Sequence, residues 1–195
     1  MLSVAVWPLL VGGAVVLVSL VVLHALPTRL NPWRDAVSQY GITRYRLGYL
    51  LAAFGAALGG VGGALLFGAL PGGMYAAVLL WIFAAARVLI PFFPMDDPEA
   101  PRTDRGRVHS LLAVIAFATI TAAGFFGAGV LHDAGRPGLS TLSTIAAVVM
   151  AVGSAGVILG LFTALRRLFG LAERLIYLGF IGWFLALGIG QLTGV

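Results

Sequence analysis

Two polar stretches of this chain carry the residue types that can do chemistry. Ser38 and Asp35 lie in PTRLNPWRDAVSQYGITRYR, residues 27–46, and His109 closes RVLIPFFPMDDPEAPRTDRGRVH, residues 87–109. A serine nucleophile, a histidine base and an aspartate to orient the base would form an ester- or amide-cleaving centre. Ser38, Asp35 and His109 are therefore the catalytic candidates, with geometry that spacing alone does not set.

Arg87 suggests different chemistry. It sits about two turns inside an apolar run counted back from Phe93. An arginine at mid-membrane costs about 2.5–3.5 kcal/mol on insertion scales, less where the side chain snorkels toward water. One reading is a snorkel or a fixed ion pair. The other is an anchor for a phosphate or carboxylate, with Asp35, Asp96 or Asp97 as its resting partner. Pro91 lies one turn further on and can kink the helix, opening space beside Arg87.

His109 falls in the first turn of the next apolar run, where the positive helix end disfavours an imidazolium. A neutral imidazole is a base or a metal ligand; the competing reading is a ring bonded to a loop carbonyl. His24, at the end of the first run, could face it. No HxxxH-like spacing is present, so no metal is expected. Asn31, Asp35, Ser38, Tyr40, Arg87, Asp96, Asp97, His109 and His24 form the expected ligand-binding set. No P-loop or dinucleotide fingerprint occurs, and no cofactor is expected.

The elements that must position these residues are apolar helices. The 195 residues are 61% hydrophobic and 10% charged, with mean hydropathy +1.05, against about 25% charged in a soluble domain. That is the composition of an integral membrane protein. The net charge of +5 comes from 12 arginines with no lysine. It forms no basic stripe on a soluble surface, so nucleic acid is not an expected partner; membrane lipids are, and a membrane-protein partner or a second copy is left open. There is no cysteine, which excludes disulfides and thiolate metal sites. The first apolar run has no basic segment before it and is too long for a removable signal peptide.

Runs of about 20 apolar residues mark spans. Six are expected, at about 4–26, 47–70, 74–93, 108–131, 141–165 and 171–192, making one all-α transmembrane domain over residues 1–195. Asn31 and Pro32 are suited to cap and start a short interfacial helix over 32–39. In the second span, small residues recur every fourth position, as Gly48, Ala52, Ala56, Gly60, Ala64 and Gly68, with a second row of Gly55, Gly59 and Gly63. Such rows let helix backbones approach in lipid, which predicts a centrally packed second span; a glycine-rich cavity wall is the alternative.

Connections 1–2, 3–4 and 5–6, with their flanks, carry ten arginines and the other side only Arg136. The positive-inside rule then places both termini outside a cell membrane and the long connections in the cytoplasm. His24, Asn31, Asp35, Ser38, Tyr40, Arg87, Asp96, Asp97, His109, Ser110 and Glu173 fall on that cytoplasmic half. His132, Asp133 and Arg136 fall on the other.

The segments NPWRDAVSQYG and FPMDD followed by RGRVH resemble a prokaryotic membrane family labelled domain of unknown function 998. The matching positions are Asn31, Pro32, Asp35, Ser38, Tyr40, Gly41, Phe93, Pro94, Asp96 and His109. The resemblance implies about six spans and carries no established activity. More distantly, the layout is similar to the Frag1/DRAM/Sfk1 membrane proteins, some tied to lipid remodelling. It is also similar to ceramidase-like membrane hydrolases, which use a serine, an aspartate and three histidines around zinc. This chain departs from the last pattern, since His132 is predicted on the opposite face. Taken together, the expectation is a cytoplasm-facing polar pocket for a lipid or other anionic amphiphile. The alternatives are a lipid-modifying hydrolase using Ser38, His109 and an aspartate, and a structural or accessory membrane subunit.

Overall fold

The computed structural model describes residues 2–97, 99–162 and 164–194. Six helices run through it: α1 (Leu2–Ala25), α2 (Arg46–Gly68), α3 (Met74–Leu89), α4 (Asp104–Asp133), α5 (Pro137–Phe162) and α6 (Phe169–Thr193). Short 3-10 turns cover Val37–Ile42, Ile90–Phe92 and Ala164–Leu168. All six helices are long and apolar enough to cross a membrane. The protein is a multi-pass membrane protein, and the helices match the expected spans closely.

Each helix packs on its sequence neighbours, and α6 closes on α1, so the bundle is a ring. α2 is the most buried helix, but it is one stave of this ring rather than its axis. The interior is filled mainly by aromatic side chains. Phe180, Trp183 and Phe184 of α6 meet Phe67 of α2 and Phe83 of α3. The glycines work as packing surfaces. A Cβ on Gly12 of α1 would run into the backbone of Gly55 and Gly59, so the α1–α2 seam needs glycine on both sides. A Cβ on Gly60 would meet Phe83 at 2.8 Å, and one on Gly63 would meet Leu80 at 3.0 Å.

Two local differences from the sequence reading have clear causes. The fourth helix starts at Asp104, about one turn early, because Thr103 caps it: its hydroxyl accepts from the Gly106 N–H at 3.1 Å. The interfacial helix is a 3-10 turn over Val37–Ile42 instead of a helix over 32–39. Asn31 does accept from the Trp33 N–H at 2.9 Å, as a cap would. Asp35, however, turns back to accept from the Asn31 N–H at 2.7 Å, which closes the segment as a loop.

Candidate functional site

With an even number of spans, connections 1–2, 3–4 and 5–6 share one end of the bundle, which also holds most of the arginines. The connection from α1 to α2 is tied to the start of α6. The Leu171 N–H donates to the Trp33 carbonyl at 3.0 Å. Arg174 donates through Nη1 to the Asp35 carbonyl at 2.8 Å and through Nε to His24 Nε2 at 2.7 Å. The carboxylate of buried Glu173 accepts from the Val37 N–H at 2.7 Å, closing the first 3-10 turn from below. Gly170 makes this docking feasible, since a Cβ there would lie 2.6 Å from the Pro32 and Asp35 carbonyl oxygens.

The connection from α3 to α4 is held by its own following helix. Asp96 accepts from the Thr103 N–H at 2.9 Å and from the Thr103 hydroxyl at 2.6 Å. The hydroxyl first, and then the N–H, hold the Asp96 carboxyl below the usual carboxylate range. His109, one turn into α4, is buried, and its Nδ1 lies 2.8 Å from the Phe93 carbonyl oxygen. A carbonyl only accepts, so Nδ1 carries the hydrogen, and Nε2 of the neutral ring keeps its lone pair. Ser38 joins the two connections by donating to Met95 Sδ at 3.1 Å.

Between these connections and the start of α2 lies a cavity of ≈ 200 Å³. Its polar wall is Ser38, Arg46, Tyr49 and His109; Leu50, Ile90, Pro91, Pro94 and Met95 supply much of the rest. A water needs about 10–15 Å³ of such space, so the cavity has room for a small head group. Tyr49 is 4% exposed, and its hydroxyl is buried with no hydrogen-bond partner among the described residues. That hydroxyl has no surface on the cavity; Tyr177, Arg87 and Glu173 are its electrostatic neighbours. Gly41 makes its placement feasible, because a Cβ there would meet the Tyr49 ring at 2.8 Å.

Arg87 is 1% exposed and does not line the cavity. No carboxylate among the described residues lies within salt-bridge distance of it. The expected pairing with an aspartate of a connection is therefore not found, because Asp35 and Asp96 are turned to backbone N–H groups. Arg87 instead donates to the Tyr177 hydroxyl at 3.0 Å, with its guanidinium carbon 5.4 Å from that ring's centroid. Its Nε has no partner. Tyr49 and Glu173 lie within electrostatic reach. The expected kink beside Arg87 is not found: α3 ends at Leu89, and Pro91 lies in the 3-10 turn that follows, where it lines the cavity with Tyr49 and His109.

Of the residues singled out from sequence, Ser38 and His109 share the cavity. Tyr40 is buried against His24, with ring centroids 5.6 Å apart. His24 donates from Nδ1 to the Leu20 carbonyl and accepts from Arg174, so it does not face His109. Asn31 and Asp35 shape the first connection, Asp96 holds the α4 cap residue Thr103, and Asp97 accepts from the Glu99 N–H in an exposed turn. Ser38, His109 and Asp35 are not joined as a triad: Ser38 is bonded to Met95, and His109 to a carbonyl. Sequence reasoning missed Arg46 and Tyr49. Three residues apart at the start of α2, they share a helix face, and that spacing was the available signal.

The family-model comparison matches residues 10–190. The chain belongs to the family described as Protein of unknown function (DUF998). The match supports the resemblance read from NPWRDAVSQYG and FPMDD with RGRVH; it does not extend to the Frag1/DRAM/Sfk1 proteins. No curated protein and no solved structure matches the chain. In this DUF998 protein the motif residues Ser38, Gly41, Pro94 and His109 line the cavity, and others hold the two connections. Asn31 and Asp35 close one loop and Asp96 anchors the other. Gly41 clears room for Tyr49, and Phe93 fixes the tautomer of His109.

Proposed function

We propose that this DUF998 protein binds a lipid or other anionic amphiphile, with the head group in the cavity between the two polar connections and the start of α2, and the tail in the surrounding bilayer. The observation that carries this reading is the cavity itself, where Arg46, Ser38 and His109 stand among apolar side chains. No carboxylate among the described residues lines that cavity. A cationic, hydrogen-bond-donating pocket with apolar walls suits an anionic head group. The arginine distribution supports a cell-membrane orientation with this end in the cytoplasm and both termini outside. A reporter fused to the C-terminus should then be active only outside the cytoplasm; cytoplasmic activity would reverse the orientation.

Native mass spectrometry tests the binding itself. Arg46→Ala should lose co-purified anionic lipid, while Arg166→Ala and Arg167→Ala retain it. Equal retention by all three would remove the pocket and favour a structural or accessory subunit. A hydrolase using Ser38 and His109 has one supporting observation, that both line this cavity. It requires Ser38 to leave Met95 for His109. Ester cleavage abolished by Ser38→Ala, with bound lipid retained, would establish it.

A further inference from the structure

The cavity's polar groups are of two kinds. Arg46 and Ser38 present hydrogen-bond donors. His109 presents an acceptor, because the Phe93 carbonyl fixes the ring hydrogen on Nδ1 and leaves Nε2 with its lone pair. A head group made only of anionic oxygens would satisfy the donors and leave Nε2 without a hydrogen. An ammonium group could donate to Nε2, but it would stand beside Arg46 with no carboxylate in the wall to balance it. A neutral hydroxyl meets the need without that repulsion.

We infer that the head group taken by this cavity is anionic and carries a free hydroxyl. Its anionic oxygens accept from Arg46, and its hydroxyl donates to His109 Nε2. The inference rests on the cavity being the head-group site proposed above. Phosphoglycerol lipids have this chemistry, and so do soluble polyol phosphates. Ser38 lies in the same wall, and its hydroxyl donates to the thioether of Met95, a weak acceptor that competes poorly with a ligand oxygen.

The test uses the purified full chain in detergent and native mass spectrometry, with three lipids of identical acyl chains. Phosphatidylglycerol has the charge and the hydroxyl, phosphatidylethanol has the charge alone, and phosphatidylethanolamine is zwitterionic. Wild type should prefer phosphatidylglycerol to phosphatidylethanol by about fivefold, the size of one net hydrogen bond. His109→Phe should bind the two equally. Equal binding of both by wild type would overturn the inference without touching the proposed lipid site, and needs no variant that must fold. A preference that survives in His109→Phe would also overturn it. Retention of all three lipids to the same extent, unchanged by Arg46→Ala, would remove the lipid site and the inference with it. Displacement of bound phosphatidylglycerol by millimolar glycerol phosphate, but not by ethyl phosphate, would support the same chemistry with a soluble molecule as its source.

Discussion

The two polar connections at the arginine-bearing end solve the same problem by opposite means. Each must satisfy backbone N–H groups where water gives way to lipid, and each uses carboxylates to do so. In the connection from α3 to α4 the carboxylate is local: Asp96 bonds Thr103, seven residues on. In the connection from α1 to α2 the decisive carboxylate is remote: Glu173, 136 residues away in sequence, reaches up from α6 to Val37. The local cap sets where α4 begins and so the height of His109. The remote one fixes a loop to the ring of helices and so the position of Ser38. The cavity exists because both are in place, which makes the first connection dependent on tertiary packing and the second nearly independent of it.

That contrast predicts unequal losses. Glu173→Ala should be the most damaging change, since it leaves the Val37 N–H without an acceptor next to a buried hole. A loss of about 3 kcal/mol is expected, the upper range for a buried hydrogen bond to a charged group. Glu173→Gln retains an acceptor oxygen and should recover much of it. Thermal denaturation in detergent measures both. A neutral Glu173→Ala would show that the first connection stands on its own local bonds, and the contrast would fail.

Thr103→Ala should cost about 1 kcal/mol, the size of an N-cap hydroxyl, and shift the α4 start without unfolding the bundle. The same local bonds predict a pH dependence. Asp96 has a folded-state pKa below its unfolded value. Its contribution is therefore fully present above the ordinary carboxylate range and is lost as pH falls through the depressed folded value. Melting temperature measured across that acid range should show a decline that Asp96→Asn lacks. A decline of equal size in Asp96→Asn would assign it to other carboxylates.

The same division explains what the sequence made legible. The six spans follow from length and hydropathy, and the small-residue rows of α2 announced its close contacts. Asp96 and His109 could be singled out because the capping segment lies within a few residues of each. Even so, Thr103 lies outside the apolar run, and hydropathy alone starts α4 a turn late. Asn31 and Asp35 read as ligands, yet their bonds are internal to a loop. For Arg87 the sequence suggests an aspartate partner, because aspartates are the acidic residues nearby; the fold instead places Tyr177 against it, 90 positions away. Tyr49 carried no local mark of being unpaired, since that depends on what three other segments leave around its hydroxyl.

The smallest effect tests how tightly the local cap is built. Gly106 lies in the first turn of α4, and a Cβ there would overlap the Asp96 carboxylate. Alanine is ordinarily better than glycine inside a helix by up to about 1 kcal/mol, so Gly106→Ala would stabilise α4 if Asp96 were free to move. Asp96 is not free, because two bonds to Thr103 hold it over the helix end. The gain in helix propensity and the displacement of Asp96 therefore oppose each other, and the net change in the wild-type background should be close to zero or slightly unfavourable. Removing the carboxylate removes the conflict. In an Asp96→Ala background, Gly106→Ala should raise the melting temperature. The double-mutant cycle thus reads the coupling between the two positions apart from the propensity of either. If Gly106→Ala has the same effect in both backgrounds, Asp96 moves aside without cost. The third connection would then be as pliable as its sequence of turns suggests, and His109 would owe its position to Phe93 alone.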